Sequence, residues 1–207
     1  MPTSRWFVRG VLVLGCVLVS SAASGQVNLH PERLGTLCVS SVPDGCRERL
    51  AWPGPFQTFF VYVVADVDFT DLGDPAQNLS NGLSAWEARV GFPTELLVLG
   101  VTFRPETSVG VGSTNDNVYD FVVGTGTPVV LGGPTVLVEF QWFLNDATVF
   151  YTLFVRLGAV ARPSVAGEAV WVEATPANGC TVPDGRPTPC IFRFAELQDL
   201  RIGPEVA

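Results

Sequence analysis

The sequence predicts an all-β chain, an antiparallel jelly-roll or Ig-like β-sandwich of about eight to ten strands. Three observations predict it. Several segments alternate apolar and polar residues with period two, no segment sustains a helical period, and 21 glycines and 16 prolines punctuate the 207 residues at short intervals.

Residues 1–25 stand apart from that fold. Arg5 and Arg9 supply a basic start, residues 11–19 an apolar run, and Ala23-Ser24-Gly25 an A-x-A-like peptidase site before Gln26. That is the anatomy of an export signal, and the apolar run is shorter than the roughly 20 residues a membrane-spanning helix needs. Lipidation at Cys16, in V-L-G-C, is the weaker alternative because apolar residues continue through Val17, Leu18 and Val19. The predicted organisation is a signal peptide over 1–25 and one sandwich domain over 26–207, with no transmembrane segment after the signal is removed.

Within the domain, residues 26–52 are rich in turn residues, with a first strand at 27–29. The run 56–67, FQTFFVYVVADV, is β-branched and aromatic and predicts a buried strand. Polar residues 68–82 form a loop. In 84–92, Trp86, Ala88, Val90 and Phe92 share one face while Glu87 and Arg89 take the other, the signature of a half-buried strand. Residues 96–103 resume after Pro93, and a Gly/Ser/Asn loop is expected over 106–117. Strands follow at 118–123 and 135–144, where Val136, Val138, Phe140, Trp142 and Leu144 oppose Glu139 and Gln141. Segments 149–157, 169–173 and 191–194 complete the set. The glycine-rich stretches 109–116 and 123–128 lack a following helix and any lysine, so turn glycine explains them better than a phosphate loop.

Composition narrows the chemistry. All twelve basic residues are arginine and two lie in the signal, so ten arginines face twenty acids in the exported chain, a surface poorly suited to nucleic acid. The absence of lysine removes Schiff-base catalysis. The single histidine, His30, lies near the start of the exported chain, where a Ser-His-Asp triad would depend on a mobile end.

Cys38, Cys46, Cys180 and Cys190 remain after processing, an even count that favours disulfides in an exported chain. Three connectivities are possible. Two local loops, 38–46 and 180–190, are favoured because each encloses a V-P-D-G turn, and the spacings are wider than zinc-ligating cysteine pairs use.

A longer pattern carries a resemblance. The strand ending V-V-A-D-V, then G-L-S-A-W-E-A-R-V-G-F-P-T-E-L-L-V-L-G-V, then Y-D-F-V-V-G, then G-G-P-T-V-L-V-E-F-Q-W-F-L, over residues 56–157, resembles the strand order of cohesin-type and related carbohydrate-binding β-sandwiches. The resemblance implies a nine-stranded jelly-roll-like sandwich that binds another macromolecule. Asp120-Phe121-Val122-Val123-Gly124-Thr125-Gly126-Thr127-Pro128 is also similar to an N-F-I-V-G-x-G-T-P-L-like segment of secreted bacterial proteins, which brings no activity with it.

Two constellations are candidates for binding. Asp66, Asp68, Asp71 and Asp74 crowd a loop after a strand, as surface calcium sites do, and Asn115, Asp116, Asn117 and Asp120 lie in position to add oxygens. Calcium is accordingly the one cofactor considered. Trp171, opposite Val170 and Val172, and Trp52, in a Pro/Gly loop, are the two tryptophans predicted to be exposed and able to stack on a sugar, while Trp86 and Trp142 fall on apolar strand faces. No pair of carboxylates stands out for hydrolysis, and the sequon at Asn78 is taken as chance. The expected function is a secreted, non-enzymatic binding or adhesion module at or beyond the bacterial cell surface, with a protein or polysaccharide partner. The alternatives are a polysaccharide-binding module and a structural, self-associating subunit of an extracellular assembly.

Overall fold

The computed structural model describes residues 28–67, 82–105, 109–115, 117–146, 151–174 and 180–204. The export signal and its cleavage point, Asp68, Asp71, Asp74, Asn78 and Asp116 all lie outside them. Among the described residues there are fourteen strands and no helix long and apolar enough to cross a membrane.

The strands are β1 (Leu29–Arg33), β2 (Thr36–Ser40), β3 (Arg49–Ala51), β4 (Thr58–Asp66), β5 (Gly82–Gly91), β6 (Leu96–Phe103), β7 (Val109–Asn115), β8 (Val118–Val130), β9 (Thr135–Leu144), β10 (Leu153–Gly158), β11 (Val170–Glu173), β12 (Ile191–Arg193), β13 (Glu196–Gln198) and β14 (Leu200–Gly203). They form two layers, the all-β sandwich the alternation predicts. One sheet has five strands in the order β13-β2-β4-β9-β6. The other has nine, running β1-β12-β11-β5-β10-β14-β3, with β8 on the opposite side of β5 and β7 beyond β8.

Strand β5 organises the larger sheet because two shorter strands share one of its edges. Its first half pairs with β11, Trp86 opposite Trp171, and its second half with β10, Val90 opposite Leu157. Alternation then places Trp86, Ala88 and Val90 on the inner layer, where they meet Phe121, Phe140 and Trp142 in a single core spanning both sheets. Phe121 stands edge-on to Phe140 at 5.7 Å between ring centroids, a contact that ties one sheet to the other.

The chain ends close the sandwich by parallel pairing. β1 runs beside β12 in one sheet and β2 beside β13 in the other, so both ends of the domain cross between layers together. Gly35 sits at that crossing with φ 76, and a Cβ there would lie 2.5 Å from the Val67 side chain. Only glycine fits. A third parallel pair joins β14 to β3.

Several elements differ from expectation. The 106–117 segment, predicted as a loop, contains β7, whose backbone pairs with β8 from Val109↔Gly124 to Asn115↔Val118. The hairpin is closed by two residues, and Asn117 takes φ 67, as such tight turns require. The glycines of 123–128 belong to a bulge inside β8, where Thr125 Oγ1 donates toward the carbonyls of Leu83 and Ser84 and pairing with β5 shifts register. His30 is no mobile residue. It lies in β1, its ring stacks on Phe192 at 4.6 Å, and its Nδ1 accepts the Glu32 backbone N–H. Disulfides join Cys38 to Cys46 and Cys180 to Cys190, with Cα separations of 5.7 and 5.4 Å.

Candidate binding surfaces

The two outer faces of the sandwich are finished differently. Over β5 and β8, residues 159–169 lie across the larger sheet and hold its polar side chains. The Ser164 backbone N–H and hydroxyl donate to the two oxygens of Glu87 at 2.6 and 2.9 Å, and Glu87 is buried as a result. Arg89 donates through Nε and one Nη to both oxygens of Asp120, at 2.7 and 2.9 Å, and the Ala161 N–H adds a third donor. The guanidinium bonds to Asp120 hold that carboxyl below its ordinary range, outweighing burial, which pushes it up. Val160, in that segment, and Val170, in β11, are also buried.

Among the described residues no segment of that kind lies over the middle of the five-stranded sheet, and apolar side chains stand in the open there. Outward residues of β4, β9 and β6 form rows: Thr58, Phe143 and Leu97 in one, Phe60, Gln141 and Gly100 in the next. A bulge in β6 sets both Leu99 and Gly100 against the single residue Gln141, which returns Val101 to the inner layer opposite Phe140. Phe60 is left 46 %, Leu97 43 % and Leu99 55 % exposed. Phe56, 59 % exposed, extends the patch at the end of β4, its ring 6.3 Å from that of Phe143. Phe56 adopts φ 56, a left-handed conformation that costs a residue with a side chain about 1–2 kcal/mol. Its N–H donates to Leu144 O, so pairing at the strand end holds that conformation.

Glu95 lies just before β6. The Tyr151 hydroxyl donates to it and, as the largest cause, holds the Glu95 carboxyl below its usual range.

The sugar-stacking reading of Trp171 is overturned. Trp171 is fully buried, stacks on Phe192 at 4.5 Å, and directs Nε1 to Leu34 O at 3.4 Å. It does face away from Val170 and Val172, but its side is the inner layer; on the outer side Val170 is buried and Val172 half-buried. Glu173, two residues on, is also buried and accepts the Cys190 N–H at 2.8 Å. Trp52 is half-buried against the core. The two indoles form no shared platform.

Of the calcium candidates, Asp66 closes β4 opposite Thr36, and Asp120 is committed to Arg89. Among the described residues no three His, Cys, Asp or Glu side chains converge on one point. The signal that sequence reading missed is the pair Leu97 and Leu99: two outward leucines flanking an inward valine, in a run whose uniform apolarity does not mark which side is open.

With the layers and faces in place, comparison with solved structures becomes informative. The seventh type I cohesin of ScaB from Pseudobacteroides cellulosolvens superposes with a TM-score of 0.52 over 85 % of this chain and 95 % of that one, at 10 % identity. The fold is cohesin-like. A non-cellulosomal cohesin from Archaeoglobus fulgidus matches at 0.47, 12 % identity, covering 81 % of this chain and 90 % of its own. The sixth cohesin of scaffoldin B from Acetivibrio cellulolyticus, solved in complex with a Cel5 dockerin, matches at 0.49, 13 % identity, over 83 % and 99 %. No protein-family model matches the sequence, and no curated protein does. At these identities the likeness concerns the cohesin-like fold.

Proposed function

We propose that this chain is an exported, non-catalytic protein-recognition module acting at or beyond the bacterial cell surface, and that it docks its partner on the outer face of β4, β9 and β6. The observation that carries the reading is the open row of Phe56, Phe60, Leu97 and Leu99 around Phe143, on a chain with net charge −8. Contiguous apolar surface of that kind marks an interaction site, whereas residues 159–169 cover part of the opposite face, at Glu87 and Asp120. The two disulfides support an oxidising, extracytoplasmic location. His30, spent on Phe192 and Glu32, and the lack of lysine support a non-catalytic role.

The test compares wild type with a Phe60→Ser/Leu99→Ser double variant, immobilised side by side and exposed to the exported proteins of the source organism, and applied separately to insoluble glycans. A protein retained by wild type should bind the variant at least tenfold more weakly at an unchanged melting temperature, since surface substitutions cost within about 0.5 kcal/mol. Equal retention by the variant, or retention on glycan alone, ends this reading. Intact mass of the exported chain should start at Gln26, and a lipid-bearing Cys16 terminus would place the protein on a membrane instead.

A further inference from the structure

A second surface is built quite differently. At the far edge of the larger sheet, β14 lies between β10 and β3, and one outward row crosses all three strands: Phe154 opposite Arg201, and Arg201 opposite Arg49. Two guanidinium groups therefore stand at directly opposed cross-strand positions, an arrangement that costs stability when nothing neutralises it. Arg47 joins them. The three arginines line a groove of about 830 Å³ with Val42, Leu50 and Phe154. Four arginines elsewhere are matched: Arg33 with Glu168, Arg89 with Asp120, Arg104 with Glu139 and Arg186 with Asp184. Among the described residues no carboxylate pairs with Arg47, Arg49 or Arg201, and none lines the groove. Arg156 adds a fourth cation, its guanidinium 5.9 Å from the centre of the Phe154 ring.

We infer that the groove binds an acidic peptide segment of a partner protein, carboxylates on the arginines and an apolar side chain on Leu50 and Phe154. Planar guanidinium forks donate bidentately to carboxylates. The peptide is favoured over an acidic glycan because the groove has one exposed ring, already faced by Arg156, and so no aromatic platform for a sugar. It is favoured over nucleic acid because the whole chain is acidic. Among the described strands β3 is the last of its sheet, an edge on which an extended segment can pair. This site is separate from the β4–β9–β6 face and does not depend on it.

The experiment titrates the oxidised, exported protein into a fluorescein-labelled glutamate-rich decapeptide with one central Phe, into its Glu→Gln counterpart, and into a labelled oligogalacturonate, reading anisotropy at low and high salt. The acidic peptide should bind and weaken steeply with salt. Arg49→Gln and Arg201→Gln should each weaken it about tenfold, as expected for a lost charge-assisted hydrogen bond. Neither variant should melt below wild type, since each relieves the opposed pair. The inference is overturned if the Gln peptide binds equally, if the variants bind as wild type does, if a substitution lowers the melting temperature by several degrees, or if only the glycan binds. Sedimentation of wild type and variants supplies the remaining arm: a dimer lost on Arg201→Gln would name a second copy of this chain as the occupant and overturn the peptide.

Discussion

Replacing Trp171 by Ala separates a core tryptophan from a sugar-binding one. The side chain is fully buried and stacked on Phe192. An indole of that kind withdraws about 200 Å² from water, and at about 25 cal/mol per Å² this amounts to about 5 kcal/mol as an upper figure. Partial collapse of the cavity reduces the loss, and Trp→Ala substitutions in cores fall at about 3–5 kcal/mol. For a domain of this size about 4 kcal/mol corresponds to a drop of about 8–16 °C in melting temperature. Trp171→Phe retains a ring over Phe192 but gives up the bond to Leu34 O and part of the volume, so it should cost about 1–2 kcal/mol. Both variants are measured by thermal and urea unfolding of the oxidised protein. A Trp171→Ala protein within about 1 kcal/mol of wild type, or one that loses glycan retention at unchanged stability, would refute the placement of this indole between the sheets.

Loop length sets the stabilisation from each disulfide: for sequence separations of 8 and 10, Cys38→Ser/Cys46→Ser should cost about 2.5 kcal/mol and Cys180→Ser/Cys190→Ser about 2.7 kcal/mol in urea titration, and a midpoint unmoved by reductant would contradict both. Asp120→Asn removes the pair with Arg89, which is partly exposed, and should cost about 1 kcal/mol. The folded-state pKa values of Asp120 and Glu95 lie below the ordinary values of 3.8 and 4.5, so their contribution is present above about pH 4.5 and is lost as pH falls through the depressed values. The acid limb of stability should therefore be shallower in Asp120→Asn, and a steeper limb would reverse that sign. Millimolar calcium should raise the melting temperature, and chelator should return it, if the loop that includes Asp66, Asp68, Asp71 and Asp74 holds the ion; an unchanged midpoint would dispose of that site.

Period-two alternation made the β-sandwich legible, and it was most reliable where one strand face is apolar and the other charged. Residues 135–144 and 96–103 are the observed bounds of β9 and β6, and Trp86, Ala88 and Val90 face inward as expected. The two local cysteine loops were legible because a turn signal sits inside each. Short strands were not: β2 and β3 are brief and flank the first cysteine loop, and β7 has glycine at alternate positions, which removes the side-chain signal while leaving the backbone free to pair with β8.

Local order along the chain thus determined the class of fold and favoured the two local sulfur bridges, and the lack of lysine removed Schiff-base chemistry. The choice of which side of a strand is inside was a tertiary matter. Trp171 and Val170, on opposite sides of β11, are both buried, while Leu97 and Leu99 stand exposed on the outer side of β6. A strand's sequence records only that its two sides differ. What covers each side is set by segments far away in the chain, and so are the meeting of Arg49 with Arg201 and the bare apolar face of β4, β9 and β6.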